Sequence, residues 1–288
     1  MKVYYNDSYV SSTDGFPTVA KAGAVARSLR EDPIEGVEIT DPSGHMEETE
    51  RLVRRVHSRE YVEAVRSGTP GDIAGSSGLA WTPETWAIAI SHSAGLVAAV
   101  ESAVGGLTTA GSFSSGLHHA RRGTGMGFCT FNGLAVACLA AIERGCGRVL
   151  VWDHDAHCGG GTFSIMEGYP EFTQIDVSTS FTYDRYTANG DHRRVNARTD
   201  RYLEAIEEGL AHARGLDPFD LIIVNSGMDP VNDGVPAPVM RTREKMVRDF
   251  VGDTPAVFAF AGGYTWGGHT MDDIVSWHRL TVREWASR

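Results

Sequence analysis

Cysteine is scarce and scattered in this 288-residue chain: Cys129, Cys138, Cys146 and Cys158 form no C-x-x-C pair. That spacing excludes a zinc knuckle and offers no disulfide framework, so reduced thiols in a cytoplasmic protein are expected. Basic residues are outnumbered, 26 Lys and Arg against 37 Asp and Glu, for a formal charge of −11. A surface of that sign does not neutralise phosphates, which argues against nucleic acid as a direct partner. No uninterrupted apolar run approaches the roughly 18 to 20 residues that span a bilayer, so no membrane partner is expected. The opening Met1-Lys2-Val3-Tyr4-Tyr5-Asn6-Asp7 reads as a strand and lacks the apolar core of a signal peptide. Repeats, low-complexity segments and dividing linkers are missing too, and a single domain over residues 1–288 is the expectation. What is plentiful is glycine, at 33 residues, and apolar side chains, at 42%, which fits a globular protein with many tight loops.

Strand-like and helix-like segments alternate from end to end, the pattern of a parallel sheet with helices on both sides. Periodicity predicts helices over 18–30, 46–56, 61–66, 84–104, 133–144, 200–214 and 242–251. The segment from Trp86 to Val100 is apolar nearly all round and is expected to be deeply buried. Strands are predicted over 3–5, 148–152, 172–177, 221–225 and 257–261, with Asp217-Pro218 as the turn before the fourth.

Three of these strands run into side chains that carry chemistry. After Arg148 to Trp152 comes Asp153-His154-Asp155-Ala156-His157-Cys158-Gly159-Gly160-Gly161. Residues two apart on extended chain share a face, so Asp155 and His157 can point at one ion while His154 faces the other way. Carboxylate oxygen with imidazole nitrogen suits zinc and its neighbours among the divalent metals. The 221–225 strand leads to Ser226-Gly227-Met228-Asp229, and the 257–261 strand to Gly262-Gly263-Tyr264. Upstream, Leu117-His118-His119 precedes the glycine-rich Gly125-Met126-Gly127-Phe128-Cys129. Ligands of parallel sheets collect beyond the carboxyl ends of the strands, which makes this convergence a candidate active site.

At these residues the chain resembles the histone deacetylase and acetylpolyamine amidohydrolase family. The match opens with His57-Ser58-Arg59-Glu60-Tyr61 and keeps its order through the paired histidines, Asp-x-Asp-x-His, Gly-x-Asp and Gly-Gly-Tyr. The resemblance implies an arginase/deacetylase-like three-layer α/β/α domain with a central, mostly parallel sheet of about eight strands. It implies that Asp155, His157 and Asp229 hold a catalytic zinc or iron, with positions left for water and substrate. His118 and His119 would flank that water as general base and general acid, with Asp153 behind the first ring. Tyr264 would donate to the substrate carbonyl oxygen, and Phe128, Gly127 and Leu117 would line the approach. A structural potassium ion near Asp153 and Asp155 is implied as well.

The chain departs from that pattern in ways that bear on function. Gly160 stands where the family usually carries the Asp or Asn that backs the second histidine, so His119 is left to be oriented by something else or to be less basic. Leu117 replaces a glycine and adds bulk near the inner pocket. Asp176-Val177-Ser178 stands in the usual Ser-Ile/Leu-His segment, which alters the expected cation site. The rim aspartate that grips lysine peptides has no match around Leu79-Ala80-Trp81-Thr82-Pro83. These departures favour a small acylated amine or amide over peptide-bound acetyl-lysine as substrate, with a second copy of the chain as the candidate protein partner. Rival readings are an acyl or amide-group transferase on the same centre, an arginase-like ureohydrolase and a binding protein with a degenerate site. The arginase chemistry wants a carboxylate at Gly159.

Overall fold

Apolar runs covered on both faces become strands, and every strand pair in the sheet is parallel. The computed structural model describes residues 1–10, 17–216 and 218–287. Among these, eight strands form one sheet: β1 (Lys2–Tyr4), β2 (Glu38–Thr40), β3 (Thr109–Ser112), β4 (Val149–Asp153), β5 (Phe172–Ser178), β6 (Arg193–Asn196), β7 (Leu221–Gly227) and β8 (Ala256–Ala261). Their order is β2-β1-β3-β8-β7-β4-β5-β6, so the last strand in sequence joins the two halves of the sheet.

Side-chain alternation splits the core into two layers. Val149 and Val151 pack with the helices Met46–Val56, Arg59–Ser67, Thr85–Ser102 and Gly133–Glu143. Leu150 and Trp152 pack on the opposite side, against Pro17–Glu31, Tyr202–Arg214, Ala237–Val251 and Met271–Ala286. The expected three-layer α/β domain is thus observed, with the sheet wholly rather than mostly parallel. Ala89 to Val100 are all buried, as the all-round apolar pattern predicts. The helical stretch Thr85–Gly106 does reach the length and hydropathy of a bilayer span, but 72% of that window is buried inside the domain.

Three strands and one long helix escape sequence reading. β2 is a half-buried three-residue edge, and β3 is Thr-Ala-Gly-Ser, which carries little β-branched surface. Gly111 in β3 is required by its neighbour, since a Cβ there would fall 2.2 Å from the Phe258 ring. The helix Met271–Ala286 starts at a capping box between Thr270 and Asp273, a signal present in the sequence. Of the predicted turn at 217–218, Asp217 lies outside the described residues.

In register across four neighbouring strands lie Asn225, Asp153, Asp176 and Arg194. This polar row sits at the carboxyl end of the sheet, directly beneath the loops that form the site.

Candidate active site

The loop after β4 and the start of the short helix Asp229–Asn232 after β7 bring Asp155, His157 and Asp229 together. His157 Nδ1 lies 3.2 Å from Asp155 Oδ1 and 3.3 Å from Asp229 Oδ2. All three ligand atoms fall within 4.8 Å of one another. Zinc bonds of about 2.0–2.1 Å in a tetrahedron put neighbouring ligand atoms about 3.3 Å apart, so two of these spacings suit a divalent metal. Backbone fixes the carboxylates: Asp155 Oδ1 accepts from His157 N at 2.9 Å, and Asp229 Oδ1 accepts from Gly263 N, leaving Oδ2 turned to the centre. Gly262, at φ +50°, is obligatory because a Cβ would fall 1.4 Å from Asp229 Oδ1.

The paired histidines come from the loop between β3 and the helix Gly133–Glu143. Asn132 Nδ2 ties that loop by donating to the carbonyls of His118 at 3.1 Å and Ala120 at 2.9 Å. His57 is a structural hydrogen-bonder here, with Nδ1 2.9 Å from the Arg121 carbonyl and Nε2 accepting from Asn132 N. His118 Nδ1 meets Asp153 Oδ2 at 2.8 Å. Burial opposes charge on His118, but Asp153, Asp155 and Asp184 outweigh it and hold its pKa at about 9. His119 is pushed the other way, to about 4, by burial and by the adjacent His118, against the pull of Asp184. The surroundings thus push the two rings in opposite directions, His118 up and His119 down.

Glycine at 160 does not leave His119 unsupported. Asp184, from the loop after β5, places Oδ2 2.8 Å from His119 Nδ1. The same carboxylate accepts from Gly161 N at 3.0 Å and from Arg121 Nη2. Gly160 and Asp184 are complementary, because a Cβ at 160 would fall 2.2 Å from the Asp184 carbonyl oxygen. Sequence reading missed Asp184 since it lies 24 residues beyond the position where a backing carboxylate was sought.

Tyr264 follows the glycine turn after β8, with its backbone N–H on Asn232 Oδ1 at 3.1 Å and its ring stacked on Trp266 at 4.2 Å. A cleft of about 390 Å³ lies over the centre, bordered by His119, Gly127, Phe128, His157, Tyr183, Tyr264 and Trp266. Gly127, at φ +54°, lies so close to His119 that a Cβ would meet its Cδ2 at 2.4 Å. Phe128 therefore sits on the cleft wall, as expected of it. Leu117 does not: its side chain packs on Gly133 and borders a separate apolar cavity that shares Gly116 and Phe128 with the site. The glycine at the start of the helix Gly133–Glu143 leaves the room that the Leu117 side chain takes. Lys21, wholly buried, donates from Nζ to the Gly262 carbonyl. Burial lowers its pKa to about 8, against the attraction of Asp229 and Asp155. In sequence this lysine reads as one more polar residue of an amphipathic helix, and nothing marks it.

Beneath the ligand loops, Arg243 and Glu244 form a fully buried ion pair. Arg243 Nη1 donates to the Gly227 carbonyl, and Glu244 accepts from Trp285 Nε1 at 2.9 Å. His154 faces this side, taking the Trp152 indole N–H at 2.9 Å on Nδ1. Toward the other edge, Asp176 accepts from Gly159 N at 2.7 Å, from Gln174 Nε2 at 2.8 Å and from the Tyr186 hydroxyl. Both oxygens of Asp153 are likewise taken, by Asp155 N, Asn225 Nδ2 and His118. N–H and O–H groups thus already occupy the carboxylates of Asp153 and Asp176.

Burial and the neighbouring Asp153 push the Asp176 carboxyl up to about 7. Between its ordinary pKa of about 4 and that value the fold binds a proton that the unfolded chain does not, so this group's contribution to stability falls as pH rises. An Asp176→Asn variant is expected to gain on the parent by several degrees in Tm as pH rises from about 5 to about 8. Parallel Tm curves for the two proteins would show that Asp176 does not carry that proton.

The profile of the histone deacetylase domain matches residues 18–276. An uncharacterised protein of Picosynechococcus sp. is 29% identical over 251 residues, covering 79% of each chain. The acetoin utilization protein AcuC of Bacillus subtilis is 25% identical over 206 residues, 63% of this chain and 53% of that protein. Among solved structures, acetylpolyamine aminohydrolase from Burkholderia pseudomallei shares the fold, with a TM-score of 0.79 and 18% identity over 100% of this chain and 99% of the other. With a domain match that spans most of its length and runs through every side chain placed around the cleft, the chain belongs to the histone deacetylase and acetylpolyamine amidohydrolase family.

Proposed function

We propose that this protein is a metal-dependent amidohydrolase that cleaves the acyl–nitrogen bond of a small acylated amine or amide. The observation that carries the reading is the convergence of Asp155, His157 and Asp229 beside two histidines, each held at Nδ1 by a carboxylate. A zinc or iron ion held by those three residues supplies Lewis acidity toward the acyl oxygen and acidifies a water molecule.

The chain's own residues supply the rest. His119 borders the cleft and has the free lone pair, so its Nε2 takes the proton of the attacking water while Asp184 holds Nδ1. His118, held protonated by Asp153, keeps a proton for the leaving nitrogen. The resemblance implies the opposite assignment, with His118 as base and His119 as acid; the hydrogen bond of Asp184 to Nδ1 supports His119 as the base. Tyr264 donates its hydroxyl to the oxygen on which negative charge develops.

The cleft favours a small substrate. Among the described residues its border consists of aromatic rings, Met126, Ser76, Ser77, glycine and two histidines, with no carboxylate to grip a peptide backbone or a second amine. Four buried free thiols support a reducing compartment as the place of action.

Zinc-loaded protein should release free acid from at least one member of a panel of acylated diamines, acyl-lysines and aryl amides. A protein that binds one zinc per chain yet yields no acid from the whole panel would remove the hydrolase reading. Acyl transfer to added hydroxylamine in place of acid would move it to the transferase class.

A further inference from the structure

We propose that Tyr183 and Asp184 form a two-residue clamp on His119 that links the seating of substrate to the orientation of the catalytic ring. The two residues grip the same imidazole. Asp184 holds Nδ1 at 2.8 Å, and the Tyr183 ring stands edge-on to His119 with centroids 5.0 Å apart. Tyr183 also stands edge-on to the metal-ligand ring of His157, at 5.4 Å.

Backbone geometry makes the pair one unit. Asp184 has φ +47°, a conformation that Asp adopts more readily than most residues, and it lets consecutive side chains converge on one target. The carboxylate is inaccessible to solvent and anchored by Gly161 N and Arg121 Nη2, whereas Tyr183 is 38% exposed on the cleft wall. A molecule in the cleft therefore rests on the residue next to the one that orients His119. A carboxylate carried by position 160 itself would not be the chain neighbour of Tyr183. Here the missing Cβ at Gly160 makes the space that Asp184 fills.

The plain alternative is that Tyr183 is only wall. A wall residue affects how tightly substrate binds, and so KM, while a positioning residue also affects kcat and the state of the ring it holds. Both are readable in Asp184→Ala, Tyr183→Ala and Tyr183→Phe, each checked first for a cooperative melt. The first measurement needs no turnover: the low-field NMR resonance of the His119 Nδ1 proton in the zinc-loaded protein. It should be present in the parent and in Tyr183→Phe, lost in Asp184→Ala, and shifted or broadened in Tyr183→Ala.

The second measurement rests on the amidohydrolase reading and uses an acetylated diamine. Asp184→Ala should lower kcat by about 10- to 100-fold, the usual cost of losing the partner that orients a functional histidine. Tyr183→Ala should lower kcat about tenfold, with Tyr183→Phe near the parent. A Tyr183→Ala variant that changes KM alone and leaves the resonance in place overturns the clamp. So does an Asp184→Ala variant that keeps both kcat and resonance. If the parent hydrolyses no amide, the amidohydrolase reading fails while the resonance still decides the clamp.

Discussion

An Asp229→Ala variant should lose the metal and, with it, about a thousandfold or more of the turnover. Asp229 offers one of the three atoms of the proposed centre and is held by the Gly263 N–H, so alanine leaves that centre with two. Lewis-acid assistance is worth several kcal/mol in the transition state, and each 1.4 kcal/mol is about tenfold in rate. Stability should fall in parallel, since an ion present at about 100 times its Kd adds about 2.7 kcal/mol to the fold it binds. Chelator treatment of the parent should reproduce the variant's Tm. Zinc analysis, amide turnover and melting together decide the matter: a variant with one zinc per chain and unimpaired rate would dissolve the proposed centre.

Tyr264→Phe should separate chemistry from metal binding. The ring and its stack on Trp266 survive the change, and the backbone bond to Asn232 is untouched. Only the hydroxyl is lost. Removing one donor from a developing oxyanion costs about a hundredfold or more in kcat, so the expected result is a slow enzyme with full zinc content and an unshifted melt. Wild-type kcat in this variant would take Tyr264 out of the mechanism and return it to packing.

Much of this site could be read from the chain because its parts are local. Asp155 and His157 are two residues apart at the end of an apolar run, and Gly262-Gly263-Tyr264 follows another directly. Strand ends announce themselves, and a parallel sheet brings them to one edge. What stayed hidden depends on contacts between distant segments. Asp184 reaches His119 across 65 residues, and only the crowding at Gly160 shows that the two positions complement each other. Lys21 is buried against Gly262, 241 residues away, in a helix whose pattern gives no hint of it. Leu117 shows the converse: its position in the motif suggests the pocket, but the direction of its side chain sends it to the helix beyond. The short strands β2, β3 and β6 were invisible for a different reason, since pairing with established neighbours, rather than intrinsic preference, makes them strands.

The strand order has a consequence for how the protein is made. β8 is hydrogen-bonded to β3 on one side and β7 on the other, so the halves β2-β1-β3 and β7-β4-β5-β6 share no direct backbone ladder. During synthesis, the segment carrying Asp155 and His157 emerges about a hundred residues before the strand that brings Gly263 onto Asp229. Until β8 inserts, the two halves of the sheet have no ladder between them and Asp229 lacks the Gly263 N–H that holds it, so β8 acts as the keystone of both sheet and site.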